Sequence, residues 1–442
     1  IIYRERCALS FLITALASLF VGFAVTLISK PGNRLIYAKE GFVIVALAWL
    51  ALSAIGAVPF VLSGEVRSYA DAFFETVSGF TTTGASVLTD IEGMSHGLLF
   101  WRSFTHWVGG MGVLVFIMAI IPSVCDRSIH ILRAEMPGPV MGKLVPKLKQ
   151  TAKILYLIYI VMTVLEMILL LCGGMSLFDS ALHSFATAGT GGFGIKGDSI
   201  ASYSPYLQWV IAAFMFLFGI NFNIYYLLLV RRFRSAICLI SVSIITGNIY
   251  SIYGNLPDSV RASAFQVASL VTTTGFSTAD FNLWPGLSKG ILLILMFIGG
   301  CAGSTAGGLK VSRVVMMIKM IRREFMKMIH PRSVSAVRIE GKKVDDTTLN
   351  GVNVYFALYM VIYFAVFLLL CLEPFDFETN FTAVAACYNN IGPGFGAVGP
   401  MGSFSGYSAF SKIVLSATML LGRLEIYPLL FALIPSTWTK QG

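Results

Sequence analysis

The hydrophobic pattern along this chain is a series of long apolar runs, at about residues 7–28, 41–62, 98–122, 152–173, 206–230, 235–252, 287–299, 353–372 and 409–434. A helix needs roughly 20 residues to cross a bilayer, and runs of this kind predict membrane-spanning helices. Between them lie four semi-apolar segments too short to span, at 71–80, 179–187, 260–270 and 379–387. About ten residues is the length of a helix that enters the membrane and turns back. Each segment runs into glycine: Ser-Gly-Phe-Thr-Thr-Thr-Gly84-Ala, Ala-Thr-Ala-Gly-Thr-Gly-Gly192-Phe, Leu-Val-Thr-Thr-Thr-Gly275-Phe and Cys-Tyr-Asn-Asn-Ile-Gly392-Pro. One motif thus occurs four times, its anchor glycines about 80–120 residues apart, each with an apolar span before and after it. The expected fold is an all-α integral membrane protein of four span–pore helix–span pseudo-repeats around a central pore. The repeats are placed at 41–122, 151–230, 235–329 and 350–442, behind an extra N-terminal helix and inside loop at 1–40.

Composition agrees. Hydrophobic residues make up 56% of the 442 and charged ones 12%, with a mean hydropathy of +0.79, more apolar sequence than a soluble core accounts for. The chain starts at Ile1 with no methionine and no signal-peptide order, so upstream residues are expected to be missing. The seven cysteines show no CxxC or metal spacing and read as packing residues.

The net charge of +10 informs through its distribution. One connection carries Arg127, Arg133, Lys143, Lys147, Lys149 and Lys153, a second Arg231, Arg232 and Arg234, and a third runs from Lys310 through Arg322, Arg323, Lys327 and Arg338 to Lys343. Basic connections face the cytoplasm, so all three are placed inside. The intervening connections carry Glu65, Asp71, Asp90, Asp179, Asp258, Glu373 and Asp376 and are placed outside. Nucleic-acid binding does not explain this alternation and is not expected. The inside basic surface either orients the helices, binds anionic membrane lipid or docks a partner.

The residue types at the four junctions suit cation passage. A permeating potassium ion exchanges its water shell for backbone carbonyl oxygens, which needs an unhindered extended strand, and a preceding helix lets irregular backbone persist at membrane depth. The candidate potassium ligands are Thr82, Thr83 and Gly84; Thr190, Gly191 and Gly192; Thr273, Thr274 and Gly275; and Asn390, Ile391 and Gly392. A second glycine-rich segment, Gly299-Gly300-Cys301-Ala302-Gly303-Ser304-Thr305-Ala306-Gly307-Gly308, interrupts the second span of repeat three. Small residues there are unsuited to a continuous helix, and the segment reads as a flexible intramembrane loop. Arg423 sits about 14 residues into the final span, where an arginine costs at least about 2.5–3.5 kcal/mol unless it meets water or a partner; it is expected to face the pore. Glu166 is a second intramembrane charge without an assigned role. The histidines have no paired-ligand spacing and no nucleophile–base constellation is present, so neither a metal site nor an enzyme is expected.

At Gly79-Phe80-Thr81-Thr82-Thr83-Gly84-Ala85, Trp107-Val108-Gly109-Gly110-Met111-Gly112, Arg133-Ala134-Glu135-Met136-Pro137-Gly138-Pro139, Gly299-Gly300-Cys301-Ala302-Gly303-Ser304-Thr305 and Gly422-Arg423-Leu424-Glu425 the chain resembles the Trk/Ktr/HKT superfamily of potassium transporters, most closely its bacterial TrkH branch. The resemblance covers essentially the whole chain. It implies one pore per subunit, a homodimer, a bacterial inner-membrane location, and a cytoplasmic nucleotide-binding ring partner of the TrkA type. It also implies two helices before the first repeat, where this sequence has one. Potassium, the transported ion, is favoured by glycine at all four anchors. The loop with Gly299, Gly300, Gly303, Ser304, Thr305, Gly307 and Gly308 corresponds to an obstruction beneath the filter, with Arg423 beside it. The expected function is channel-like potassium uptake driven by the membrane potential. A symporter coupling potassium to sodium or protons stays open as an alternative, and a non-transporting regulatory protein leaves the glycine junctions unexplained.

Overall fold

The structure, a computed structural model, describes residues 3, 5, 7–28, 38–112, 148–219, 230–301, 304–332, 336–339 and 342–438. It is helical apart from a two-residue antiparallel hairpin, β1 (Arg338–Ile339) with β2 (Lys342–Lys343). Helix α1 (Cys7–Ile28) precedes a unit of three, α2 (Ala38–Ser63), α3 (Tyr69–Phe80) and α4 (His96–Gly110). The same order recurs as α5 (Leu148–Cys172), α6 (Leu177–Gly189) and α7 (Pro205–Phe218), and again as α8 (Val230–Tyr253), α9 (Leu256–Val271) and α10 (Gly286–Ile298), the last continued by α11 (Val311–Ile329). The fourth unit is α12 (Asp346–Leu370), α13 (Phe377–Tyr388) and α14 (Ala409–Arg423), followed by α15 (Tyr427–Leu433). Five helices among the described residues are long and apolar enough to cross a membrane: α1, and α2, α5, α8 and α12, the first of each unit.

The middle helices α3, α6, α9 and α13 are short because their ends are written in the sequence. Ser68, Ser176, Asn255 and Asp376 cap them, accepting hydrogen bonds from the N–H of Asp71, Asp179, Asp258 and Thr379. Asp71, Asp179, Asp258 and Glu378 stand in the first turns, where acidic side chains complement the positive end of the helix dipole. The negative ends point at the glycine junctions. These helices form the centre of the molecule: in α13 and its junction, residues 382–392 are all buried, the polar Thr382, Asn389 and Asn390 among them.

The third helices α4, α7 and α14 are shorter than their apolar runs predict, at 15, 14 and 15 residues, whereas α10, at 13, matches the run expected at 287–299. The run expected at 409–434 is not one span. Glu425 and Ile426 take φ of 55° and 69°, and Pro428 follows, whose ring excludes a continuous helix through the carbonyl four residues earlier. Of the runs expected at 98–122 and 206–230, helix is described as far as Gly110 and Phe218, and residues 113–147 and 220–229, with Arg133-Ala134-Glu135-Met136-Pro137-Gly138-Pro139 among them, lie outside the described residues. The ends of α14 and α4 meet, Arg423 reaching the carbonyls of Gly109 and Gly110.

Candidate functional site at the fourfold junction

Each middle helix ends in the same backbone conformation. Thr82, Thr190, Thr273 and Asn390 take φ of 55°, 55°, 53° and 53°, and two residues further on Gly84, Gly192, Gly275 and Gly392 take 81°, 76°, 85° and 101°. A threonine in the left-handed region is rare and costs about 1–3 kcal/mol, so its surroundings must impose it three times. A hydrogen bond to the carbonyl five residues back does so. The N–H groups of Thr83, Gly191, Thr274 and Ile391 donate to Ser78, Ala186, Ser269 and Ala386 at 2.9, 2.8, 2.8 and 2.8 Å, a helix closure usually made with glycine. In the first and third units a hydroxyl pair adds to it, Thr81 with Thr83 and Thr272 with Thr274, each at 2.8 Å. Asn390 departs furthest from threonine in sequence and keeps the conformation, since asparagine tolerates it. Its amide donates to Thr83 Oγ1 at 3.0 Å and to the Met419 carbonyl at 2.9 Å, joining the fourth unit to the first.

The four strands close on one another in order. A methyl group placed on Gly84 would collide with the carbonyl oxygen of Gly191, one on Gly192 with that of Thr274, one on Gly275 with that of Ile391, and one on Gly392 with that of Thr83. Eight of the twelve candidate ligand residues predicted from the sequence, the four anchor glycines and the residue before each, thus meet in a single ring. Each glycine is needed twice, for its positive φ and for the approach of the next strand. One outward-opening cavity is lined by all four anchors, Gly84, Gly192, Gly275 and Gly392.

Behind the ring, between the first and second units, lies a buried ion pair that sequence reasoning misses. Glu75 of α3 and Arg102 of α4 are 2.8 Å apart, with side chains 0% and 2% exposed. Glu75 also accepts from the N–H of Val87 and the hydroxyl of Ser86 at 3.0 Å each, just beyond Gly84. The signal available in the sequence is that both charges sit in apolar segments, where charge is tolerated only with a partner. Breaking a buried pair leaves one charge uncompensated, at a cost of about 3–5 kcal/mol. Glu75→Ala is expected to lower the thermal midpoint of the detergent-solubilised protein strongly and Glu75→Gln less; equal midpoints for both and the parent would remove the pair from the account of stability.

Below the ring, the loop between α10 and α11 touches the third and fourth junctions and the end of α7. Gly307 N–H donates to Thr273 Oγ1 at 2.6 Å, and a side chain on Gly307 would strike the Asn389 carbonyl. Thr305 Oγ1 donates to the Phe218 carbonyl at 3.4 Å, at the end of α7. The loop is pinched at its base, where Gly300 N–H donates to Gly307 O at 3.3 Å and Val311 N–H to Gly300 O at 3.0 Å. Of the residues predicted there, Gly299, Gly300, Ser304, Thr305, Gly307 and Gly308 take part in this arrangement, while Gly303 lies outside the described residues.

Arg423 ends α14 beside that loop. Its guanidinium donates to the Thr305 carbonyl at 2.6 Å and to Gly109 and Gly110 of α4 at 2.5 and 2.9 Å. The helix break after it carries Glu425 to Arg313, with contacts of 2.5 and 3.2 Å, and the Arg313 guanidinium lies 4.0 Å from the Tyr355 ring centre. Two members of the basic run placed inside are therefore not surface charges: Arg313 is buried in this pair, and Lys310 is 3% exposed with its ammonium on the Ala306 carbonyl. Lys310 bounds the loop at φ 75°. Glu166 is fully buried in α5, and among the described residues neither carboxylate oxygen makes a hydrogen bond.

The fold and the ring define a multi-pass helical membrane protein in which four pore helices converge on one central pore. The family described as cation transport protein, TrkH, matches residues 10–241 and 236–440. The Trk system potassium uptake protein TrkH of Escherichia coli K12 is 35% identical over 457 aligned residues, covering 100% of this chain and 94% of its own, and the TrkH of Halomonas elongata is 33% identical, covering 93% and 88%. The crystal structure of the potassium transporter TrkH from Vibrio parahaemolyticus superposes with a TM-score of 0.88 at 30% identity, over 99% of this chain and 94% of that one. The chain belongs to the TrkH family of cation transport proteins.

Proposed function

We propose that this protein takes potassium into the cell across the bacterial inner membrane, through a channel-like pore whose selectivity filter is the ring at residues 82–84, 190–192, 273–275 and 390–392. The observation that carries this reading is the cyclic closure of four anchor glycines on four backbone carbonyls. Such a ring replaces a potassium ion's hydration shell without any charged ligand, and the negative ends of four helix dipoles lie beneath it. The names of the relatives support potassium as the ion. Under this reading the protein works as a homodimer with a cytoplasmic nucleotide-binding ring subunit of the TrkA type, which acts on the loop 299–309. Purified protein in liposomes, assayed for rubidium, potassium and sodium uptake with and without an imposed voltage, tests it. Voltage alone is expected to drive potassium and rubidium uptake; uptake only with an added sodium or proton gradient would establish coupled symport instead.

The loop is assigned as the gate, with Arg423 as its latch. Each charge-assisted hydrogen bond to a carbonyl contributes about 1.5–3 kcal/mol, so Arg423→Ala is expected to raise potassium flux by about tenfold or more. Lower or equal flux from correctly folded protein would make Arg423 a structural residue.

A further inference from the structure

The ring is fourfold in its backbone and one-sided in its support. Nine residues before the anchor glycines, the middle helices carry Glu75, His183, Gln266 and Ala383 in turn. Among these, Glu75 anchors an ion pair, and its partner Arg102 reaches past it to the next strand. The Arg102 guanidinium lies 4.1 Å from the ring centre of Phe193, the residue after Gly192, and Arg102 Nη1 donates to the Gly194 carbonyl at 3.4 Å. One helical turn further along α4, the His106 imidazole stacks on the same ring, with centres 4.2 Å apart and planes 21° from parallel. His106 also abuts Gly191, where a side chain would enter the imidazole. Phe193 and His106 are 2% and 0% exposed. The corresponding Phe276 of the third unit has the more distant His183 as its ring neighbour among the described residues, at 5.8 Å, and the first and fourth units carry Ala85 and Pro393 at this position.

We propose that Arg102 and His106, acting through Phe193, form a clamp that positions the Gly191 carbonyl and thereby sets how well the pore discriminates potassium from sodium. This rests on the reading of the ring as the filter. The clamp grips the strand on either side of Gly192, and Gly191 O is the oxygen against which Gly84 closes. Carbonyl discrimination between the two ions depends on how freely the ligand oxygens move toward the smaller one. An aromatic ring held between a guanidinium and an imidazole has little freedom to follow. Arg102 and His106 touch no ion; they are positioning residues.

Phe193→Leu tests the clamp without unpairing Arg102 from Glu75. In liposomes it is expected to raise the sodium-to-potassium uptake ratio by roughly three- to tenfold, a part of what one lost desolvated cation–π contact is worth, since only its difference between the two ions is read. Phe193→Tyr, which keeps the ring, should leave the ratio close to that of the parent. His106→Leu should shift the ratio as Phe193→Leu does, His106→Phe should not, and the double Leu variant should show no more than either single one, because both act through one contact. An unchanged ratio in Phe193→Leu overturns the clamp, as does a loss of flux at constant ratio, which a merely structural brace would give. If Phe193→Leu does not fold, the two His106 variants decide by the same ratio. Gly84→Ser separates the two readings: a shift there with none at Phe193 rejects the clamp and keeps the filter, whereas no shift at either position rejects the filter itself.

Discussion

Gly84→Ser is expected to lower the preference for potassium over sodium by about five- to thirtyfold, corresponding to roughly 1–2 kcal/mol for placing an L side chain in left-handed backbone. Two independent constraints meet at this residue. Its φ of 81° is strained for serine, and the new Cβ would collide with the Gly191 carbonyl oxygen. The backbone must shift to relieve the clash, and the oxygen that moves is one of the four in the ring. The hydroxyl adds a ligand suited to the smaller ion. Gly84→Ala separates the two contributions, since it makes the same collision without the hydroxyl: a loss of selectivity in both variants assigns the effect to the displaced carbonyl, and a loss in serine alone to the new ligand. The ratio of sodium to rubidium uptake at a fixed voltage is the measurement, and a ratio equal to that of the parent in the serine variant would remove Gly84 from the filter.

Much of this architecture was legible because membrane folds leave few choices. A chain that must satisfy its backbone within each segment crosses as helix or re-enters under the cover of other helices. Apolar runs of about 20 residues alternating with short segments that end in glycine therefore translate almost directly into the observed order of long, short and third helices. The pore-helix ends were legible for a local reason, since Ser68, Ser176, Asn255 and Asp376 are capping residues followed by acids. Asn390 shows the other side of the same logic. A sequence alignment by residue type makes it the odd member, but the position selects for a φ of 53°, which asparagine meets at less strain than threonine.

What hydropathy does not register is a break inside an apolar run. Leu424, Ile426 and Leu429 are as apolar as their neighbours, so 409–434 reads as one span, although Pro428 marks the interruption. Nor does it register pairing at a distance. Glu75 and Arg102 are 27 positions apart and Arg313 and Glu425 are 112 apart, and each partner alone looks like an isolated charge. Lys310 misleads in the same way: by composition it opens a basic cytoplasmic stretch, while its ammonium is spent on the Ala306 carbonyl. The rule that recovers the two ion pairs is energetic. A charge in an apolar segment must be paired, so unpaired ones in the sequence should be matched with each other before any is assigned to a surface.

Deleting residues 302–306 is expected to open the pore. The loop joining α10 to α11 is narrow at its base: Gly300 and Gly307 are hydrogen-bonded, and Gly299 packs on Gly308. The ends are already together, so removing the tip does not pull the helices apart. It does remove the Thr305 carbonyl that Arg423 grips and the Thr305 hydroxyl on Phe218, and with them the links from the loop to α14 and α7. The contacts that would remain are those of Gly307, its hydrogen bond to Thr273 and its packing on the Asn389 carbonyl, against the reach of a shortened loop. Losing charge-assisted hydrogen bonds of about 1.5–3 kcal/mol each should raise potassium flux at least about tenfold. Under the proposed function, that flux should no longer respond to the cytoplasmic partner or its nucleotide. The ratio of potassium to sodium should stay as in the parent, because the ring and its hydrogen bonds to Ser78, Ala186, Ser269 and Ala386 are untouched. A deletion protein that folds, binds its partner and still needs it for flux would reject the loop as the gate, and one that conducts with altered selectivity would place the barrier and the filter in the same residues.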